Sequence, residues 1–182
     1  MINTQERAIV ALKLNAYPVR GALSLAAGTK QTLPAAGTCL IEVYANTVSG
    51  RRVTLVNREL QDAAAIYFPA ATPEVDAQHY TYDSRDPTHF DVVPPNSGTG
   101  SIDALYGAVP TPIAAVGNAI NLADYYETPI IHGVLEQAYA ENTERKDMVK
   151  SAFYGDSWKK LIGAGTASTI ANAPQQGKQG GS

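Results

Sequence analysis

The hydrophobic period of this chain changes twice, and that constrains its fold more than any single motif. Helix-like spacing at the start gives way, from Val19 to about Pro110, to short alternating apolar runs cut by Gly, Pro, Asp and Ser; helix-like spacing then returns. A period of two buries one face of a strand, and a period of 3.6 buries one stripe of a helix. The pattern predicts an α+β protein: a helical bundle, made of an N-terminal helix and a C-terminal helical hairpin, with an inserted small antiparallel β-rich region and an extended C-terminal arm.

At the start, Asn3 and Glu6 have the spacing of a capping box, which predicts a helix over 4–16 stopped by Pro18. Ala8, Ile9 and Leu12 are its expected buried stripe. In the last third, Asn121 can cap a turn, and Thr128-Pro129 can act as N-cap and first position of a longer helix. One kinked helix over 124–141 and two separate pieces both fit. Ile131, Val134, Leu135 and Ala138 form its expected buried face. Asn142-Thr143 then breaks the chain and caps a helix over 144–162, with Met148, Ala152, Gly155 and Ile162 on one side. So short a link predicts an antiparallel helical hairpin.

The β-rich insertion spans 19–110. A strand over 20–26 should turn at Gly28-Thr29-Lys30. Cys39, Ile41, Val43 and Ala45 share one face of the next run, with Leu40, Glu42 and Tyr44 on the other. Val48-Ser49-Gly50 turns the chain, and residues 51–58 return as a hairpin. One or two helical turns fit 59–66. Tyr80 and Tyr82 share a face of a short strand, and residues 83–87 (DSRDP) supply turn chemistry. Phe90 and Val92 lie on a second strand ended by Pro94-Pro95, and Ile102, Ala104 and Tyr106 on a third. Residues 1–162 read as one folded body. Gly163–Ser182 contain a single large aliphatic, Ile170, among Gly, Ser, Gln and Ala, so they cannot build a core and are expected to act as an arm on a neighbour.

Charge narrows the partners. Lys and Arg total 14 and Asp and Glu 17 in 182 residues, for a net charge of −3. Non-specific duplex binding needs a cationic excess, so it is not expected. Charged residues are only 17%, low against about a quarter in an average soluble domain, which suits a surface covered by partners. The balance is polarised: residues 74–141 hold ten acids and one base, net −9, while the remaining 13 bases and 7 acids give +6. Such polarity suits a head-to-tail contact between copies, with Arg51, Arg52, Asp83, Asp86, Lys159 and Lys160 as candidate contact residues. No run approaches the about 18 apolar residues of a membrane span, and the polar start is unlike a secretory signal. A single cysteine, Cys39, excludes an intrachain disulfide and a cysteine-built metal site, and a reducing compartment is expected.

Catalytic chemistry is sparse. Gly98-Thr99-Gly100 begins like a nucleotide loop but lacks the third glycine and follows Pro-Pro; it reads as a turn. His79 and His89 can face each other across the 83–87 turn with Asp86 and Asp91 nearby, the one arrangement that would support a small metal-dependent hydrolase. His132 reads as a packed or boundary residue and Cys39 as a small buried hydrophobe. No nucleophile elbow accompanies any Ser, His and Asp. The ten tyrosines suit half-buried contact surfaces. No enzyme, cofactor or metal is expected.

An ordered set of runs adds a resemblance. Residues 27–34 (AGTKQTLP), 40–43 (LIEV) followed by Asn46 and 50–53 (GRRV), and 82–87 (YDSRDP) leading to Phe90 and Val93-Pro94-Pro95 come first. Leu105-Tyr106, Val109-Pro110, Asp124-Tyr125-Tyr126 and Gln137-Ala138-Tyr139 continue the set. Over residues 5–162 the chain resembles the head-to-tail adaptor (head-completion, or connector) proteins of tailed bacteriophages. The resemblance implies a structural protein of the virion neck, made in the host bacterial cytoplasm. It implies a homo-oligomeric ring, commonly of twelve copies, joining portal to tail or nozzle protein and continuing the channel through which DNA passes without specific binding. It also implies that the arm, with Gly163, Thr166, Ile170, Pro174, Gln175, Gln176 and Lys178, binds the portal or a neighbouring copy. Relatives carry more helical sequence before the segment matching 4–16, so the bundle is expected to be one helix short. A tail-tube or other neck component is the alternative.

Overall fold

The computed structural model describes residues 1–57, 59, 72–115, 117–141 and 146–163. Among them are three α-helices, α1 (Ile2–Leu12), α2 (Glu127–Glu141) and α3 (Met148–Gly163), with a 3-10 turn (Asp124–Tyr126) leading into α2. Seven strands lie between: β1 (Pro18–Ser24), β2 (Ala27–Thr32), β3 (Gly37–Asn46), β4 (Thr54–Leu55), β5 (His79–Tyr82), β6 (His89–Ser97) and β7 (Ser101–Ala108). The chain divides into two units. Met1–Tyr17 packs with the described residues from Ala108 onward, and Pro18–Gly107 forms the other. The α+β class is as expected. The expected helical turns at 59–66, the cap at Asn142-Thr143 and the chain after Gly163 lie outside the described residues.

In the β unit the strands form two sheets. One has the order β1-β7-β3 and the other β2-β6-β5-β4. β1 pairs antiparallel with β7 over its whole length, Pro18 opposite Gly107 through Ser24 opposite Ser101. The Thr47 amide donates to the Ser101 carbonyl, and Cys39 meets the Gly107 backbone, so β3 also runs antiparallel to β7. β6 pairs antiparallel with β2 and β5, whereas β4 runs parallel to β5. Leu23, Leu40, Val43, Tyr80, Phe90, Val92, Ile102 and Ala104 are buried in one cluster.

Three strand expectations change here. Gly28-Thr29-Lys30 belongs to β2 instead of turning the chain: Gly28 has φ of 100°, open to glycine, and a bulge falls between Gly28 and Lys30. Pro94-Pro95 does not end β6, which continues to Ser97. The two prolines sit where β2 is bulged and beyond the last β5 partner, Val93, so no ladder bond is lost for want of their N–H groups. In β3 both Leu40 and Val43 are buried, although strict alternation puts them on opposite faces. The hairpin at 46–53 forms, with Asn46 and Val53 donating to Arg51 and Tyr44 carbonyls, but its return arm yields only the two residues of β4.

In the helical unit, Ile9, Val10, Ala16, Leu122, Tyr126, Ile130 and Ile162 share one buried cluster. α1 begins at Ile2 rather than 4 and ends at Leu12 rather than 16, where Lys13 leaves helical dihedrals. No capping box forms, because both of its side chains bind elsewhere. Asn3 clasps the Ile113 backbone, donating to its carbonyl (3.1 Å) and accepting its N–H (2.9 Å). Glu6, 1% exposed, accepts the Asn121 N–H at 2.8 Å and its side-chain amide at 3.1 Å. Asn121 is therefore a tether to α1 rather than a cap, and Leu12 is exposed.

Thr128-Pro129 lie inside the first turn of α2 instead of opening it. Pro129, Ile130 and Gly133 are buried and Ile131 is exposed, so the buried face is turned from the expected one, of which Val134 still packs against the cluster. Packing explains the phase: a side chain at Gly133 would collide with the Gln5 carboxamide and with Trp158. α3 is capped by Asp147, whose Oδ1 accepts the Val149 and Lys150 amides at 3.1 and 3.0 Å. Ser151 donates to the Glu136 carbonyl and His132 meets Ser157 at 2.9 Å, so α2 and α3 run antiparallel as a hairpin. Gly155 and Ile162 are buried as expected, but Met148 and Ala152 are exposed.

Candidate interaction surface

Asn96 lies at the end of β6, buried, with every polar atom used. Its Oδ1 accepts the Gly98 and Gly100 amides at 2.8 and 3.1 Å, and its Nδ2 donates to the Val75 carbonyl at 2.8 Å. The residues 98–100 are thus a turn wrapped on one carboxamide, in agreement with the sequence reading. A Cβ at Gly100 would strike the Val75 carbonyl and that same Nδ2. Their N–H groups face Asn96 instead of a phosphate.

On the outer face of the β1-β7-β3 sheet, Arg20 forms a two-pronged ion pair with Asp103, at 3.2 Å (Nε to Oδ1) and 2.6 Å (Nη2 to Oδ2). Its guanidinium carbon stands 4.2 Å from the centre of the Tyr44 ring. The hydrogen bond from Arg20 holds the Asp103 carboxyl below the usual carboxylate range. Burial, then the neighbouring Glu42, pushes the Tyr44 phenol up. The sequence reading missed this cluster. Its only signal there was that Arg20 and Asp103 both take outward positions in alternating runs, and pairing them needs the register of β1 on β7.

The candidate contact residues fall into three places. Arg51 and Arg52 are adjacent and exposed on the 46–53 hairpin, and no ion pair to either is formed among the described residues. Asp83 and Asp86 share the β5–β6 turn, but each is engaged locally. Asp83 holds Arg85 at 2.6 Å, and Asp86 lies 2.7 Å from Nδ1 of His89. Lys159 and Lys160 lie on the last turns of α3, where positive charge suits the carbonyl end of a helix; Lys159 reaches Asp156 only at 4.0 Å. Of the arm residues, Gly163 is the final residue of α3. Thr166, Ile170, Pro174, Gln175, Gln176 and Lys178 lie outside the described residues.

The helical unit also shows apolar chains at its surface. Val149 is 81% exposed and Phe153 65%, with Met148 beside them on the first turns of α3, while Tyr125 stands out ahead of α2. Phe153 packs edge-on against Tyr154, which stacks on Tyr139 at 5.9 Å.

The histidine–aspartate grouping does not assemble as the hydrolase alternative requires. The β5–β6 register places His79 opposite Val93, at the far end of the pair from the turn, where Thr54 holds its Nδ1 at 2.6 Å. His89 lies at the turn end with Asp86. Among the described residues no group of three His, Cys, Asp or Glu is placed to hold a metal ion. His132 is packed between Ser157 and Tyr154. Cys39 is buried, and desolvation pushes its thiol up, away from nucleophilic use.

The family model described as SU10 adaptor protein matches residues 1–176, and the chain belongs to that family, one of phage head-to-tail adaptors, as the resemblance implied. No individually curated protein matches it. It is a structural family and not an enzyme family, and membership implies contacts with other phage head and tail proteins. No helix among the described residues is long and apolar enough to cross a membrane.

Proposed function

We propose that copies of this chain close into a ring in the virion neck, about twelve to the turn, joining portal to tail or nozzle and continuing the channel through which DNA leaves. The family match over residues 1–176 carries this reading. Residues 1–162 act as the body, in which α1 and the α2–α3 hairpin serve as a small bundle carrying the β-rich insertion. Residues 163–182 act as an arm that grips the portal or an adjoining copy.

Charge supports the arrangement. The acidic stretch 74–141, net −9, and the basic remainder, net +6, supply charges of both signs for head-to-tail contact between copies. Arg51, Arg52, Lys159 and Lys160 are the cationic candidates, with Asp83 and Asp86 opposite them. An acidic or neutral channel wall lets phosphates pass without holding them.

Deleting 164–182 tests the arm. Attachment to purified portal protein should weaken while near-ultraviolet circular dichroism stays unchanged. Undiminished attachment removes the arm from the account.

A further inference from the structure

Of the four sheet margins in the β unit, one is covered and two are defended. The outer side of β3 is covered by the 51–53 return, bridged at Ala45 and Arg52, and by Pro87, whose carbonyl accepts the Leu40 amide. β4 is two residues long. β2 is bulged at Gly28 and carries Lys30. Bulges, brevity and lysine are the usual defences of a sheet edge against another chain. β1 has none of them past Pro18: it is seven residues, regular, without a bulge.

The ladder settles which groups of β1 are open. Ala108 donates to the Tyr17 carbonyl at one end, and Leu25 donates to the Gly100 carbonyl at the other. Hydrogen-bonded pairs alternate in an antiparallel ladder, so the odd residues from 17 to 25 bond to β7 and the even ones point away. Arg20, Ala22 and Ser24 therefore direct their N–H and C=O groups outward, and no hydrogen bond reaches those groups among the described residues. The one long side chain along that row, Arg20, is folded back over Asp103 and Tyr44 and does not guard the edge.

The sequence contains a segment of matching chemistry. Thr166–Ala173 (TASTIANA) is eight residues without charge or proline, between Gly165 and Pro174. It begins three residues past the end of α3. We propose that the open edge of β1 receives residues 166–173 of a second copy as an added strand, a main-chain contact that links neighbours around the ring. This rests on the ring reading above, and it assigns the first half of the arm to an adjoining copy.

Two variants of the full protein separate donor from acceptor. Ala22→Pro removes an outward N–H that β7 does not use, so the acceptor edge is lost with the sheet intact; Ser24→Pro does the same one pair along. Deletion of 164–182 removes the donor and leaves the edge. Folding of each is checked by near-ultraviolet circular dichroism. Each variant alone should fail to form the strand contact, and an equimolar mixture should give a mixed pair in sedimentation. In the assembled unmodified protein, amide exchange at residues 20, 22 and 24 should slow by about tenfold or more relative to the deletion variant.

A mixture that stays unassociated while the unmodified chain associates overturns the strand exchange and leaves the ring standing. Exchange at those amides that is unchanged by the deletion does the same. Protection that persists at infinite dilution assigns the strand to its own chain and overturns the exchange between copies. Failure of the unmodified chain to associate under any condition, portal included, overturns both.

Discussion

Asn46 grips Ala77 by both halves of its peptide backbone. The Asn46 Oδ1 accepts the Ala77 N–H at 2.8 Å, and its Nδ2 donates to the Ala77 carbonyl at 2.7 Å, with the Arg51 carbonyl also in reach at 3.1 Å. With Asn96 on Val75, two buried carboxamides pin the segment that enters β5. Such groups cost little when satisfied and much when orphaned.

Asn46→Ala leaves the Ala77 amide and carbonyl buried without partners. It should cost about 2–4 kcal/mol, since each orphaned group is worth about 1–3 kcal/mol with partial relief by water. Urea denaturation checks this. Asn46→Asp keeps the acceptor but turns a buried carboxylate toward the Ala77 and Arg51 carbonyls, so at neutral pH its midpoint should lie at or below that of Asn46→Ala.

Two glycines are required by close approach. At Gly100 a methyl group would meet the Val75 carbonyl and the Asn96 amide, and at Gly133 it would meet Gln5 and Trp158. Gly100→Ala collides with backbone and should destabilise by about 1–3 kcal/mol. Gly133→Ala meets movable side chains and should cost less. Thermal midpoints of the two variants give the order.

This is also where the sequence was least legible. Period-two runs located most strands, because burial of Ile102, Ala104, Phe90 and Val92 is a matter of alternation alone. The glycines at 98 and 100 marked a turn by composition. The carboxamide that holds the turn is also local, since Asn96 accepts amides two and four residues on; what no local pattern encodes is the Val75 carbonyl that anchors its other end. The same holds for α1. Asn3 and Glu6 have capping spacing, yet partners over 100 residues away in sequence claim them. The exposed pair of Arg20 and Asp103 needed a register before it could be seen.

Stability should fall at both ends of the pH range. The Asp147 carboxyl lies below its ordinary value, chiefly because the Lys150 amide bonds it, so its folded pKa is depressed. That contribution is present above the unfolded value and is lost as pH falls below about 4. Desolvation pushes the Tyr82 phenol up to about 12 and the Tyr80 and Tyr126 phenols up as well. Raised phenols stabilise the fold up to about pH 10 and withdraw that support above it. Thermal midpoints across pH should form a plateau with shoulders at those limits. Asp147→Asn should flatten the acid shoulder, and Tyr82→Phe should reduce the alkaline one.

Trp158 is the chain's single tryptophan, and its indole Nε1 is buried with no acceptor among the described residues. Trp158→Phe keeps the ring contact on Gly133 and removes an unsatisfied donor, so its stability loss should stay under about 1 kcal/mol. In the unmodified protein, tryptophan fluorescence should report unfolding of the helical unit alone. A fluorescence midpoint that differs from the far-ultraviolet one would reveal the two units melting separately.

The central claim is assembly, and electron microscopy of the protein mixed with its portal tests it most directly. The account predicts closed rings seated on the portal with a central channel, near twelve copies, and a sedimentation coefficient that shifts to match. Monomers that remain free of portal at every ratio would contradict it.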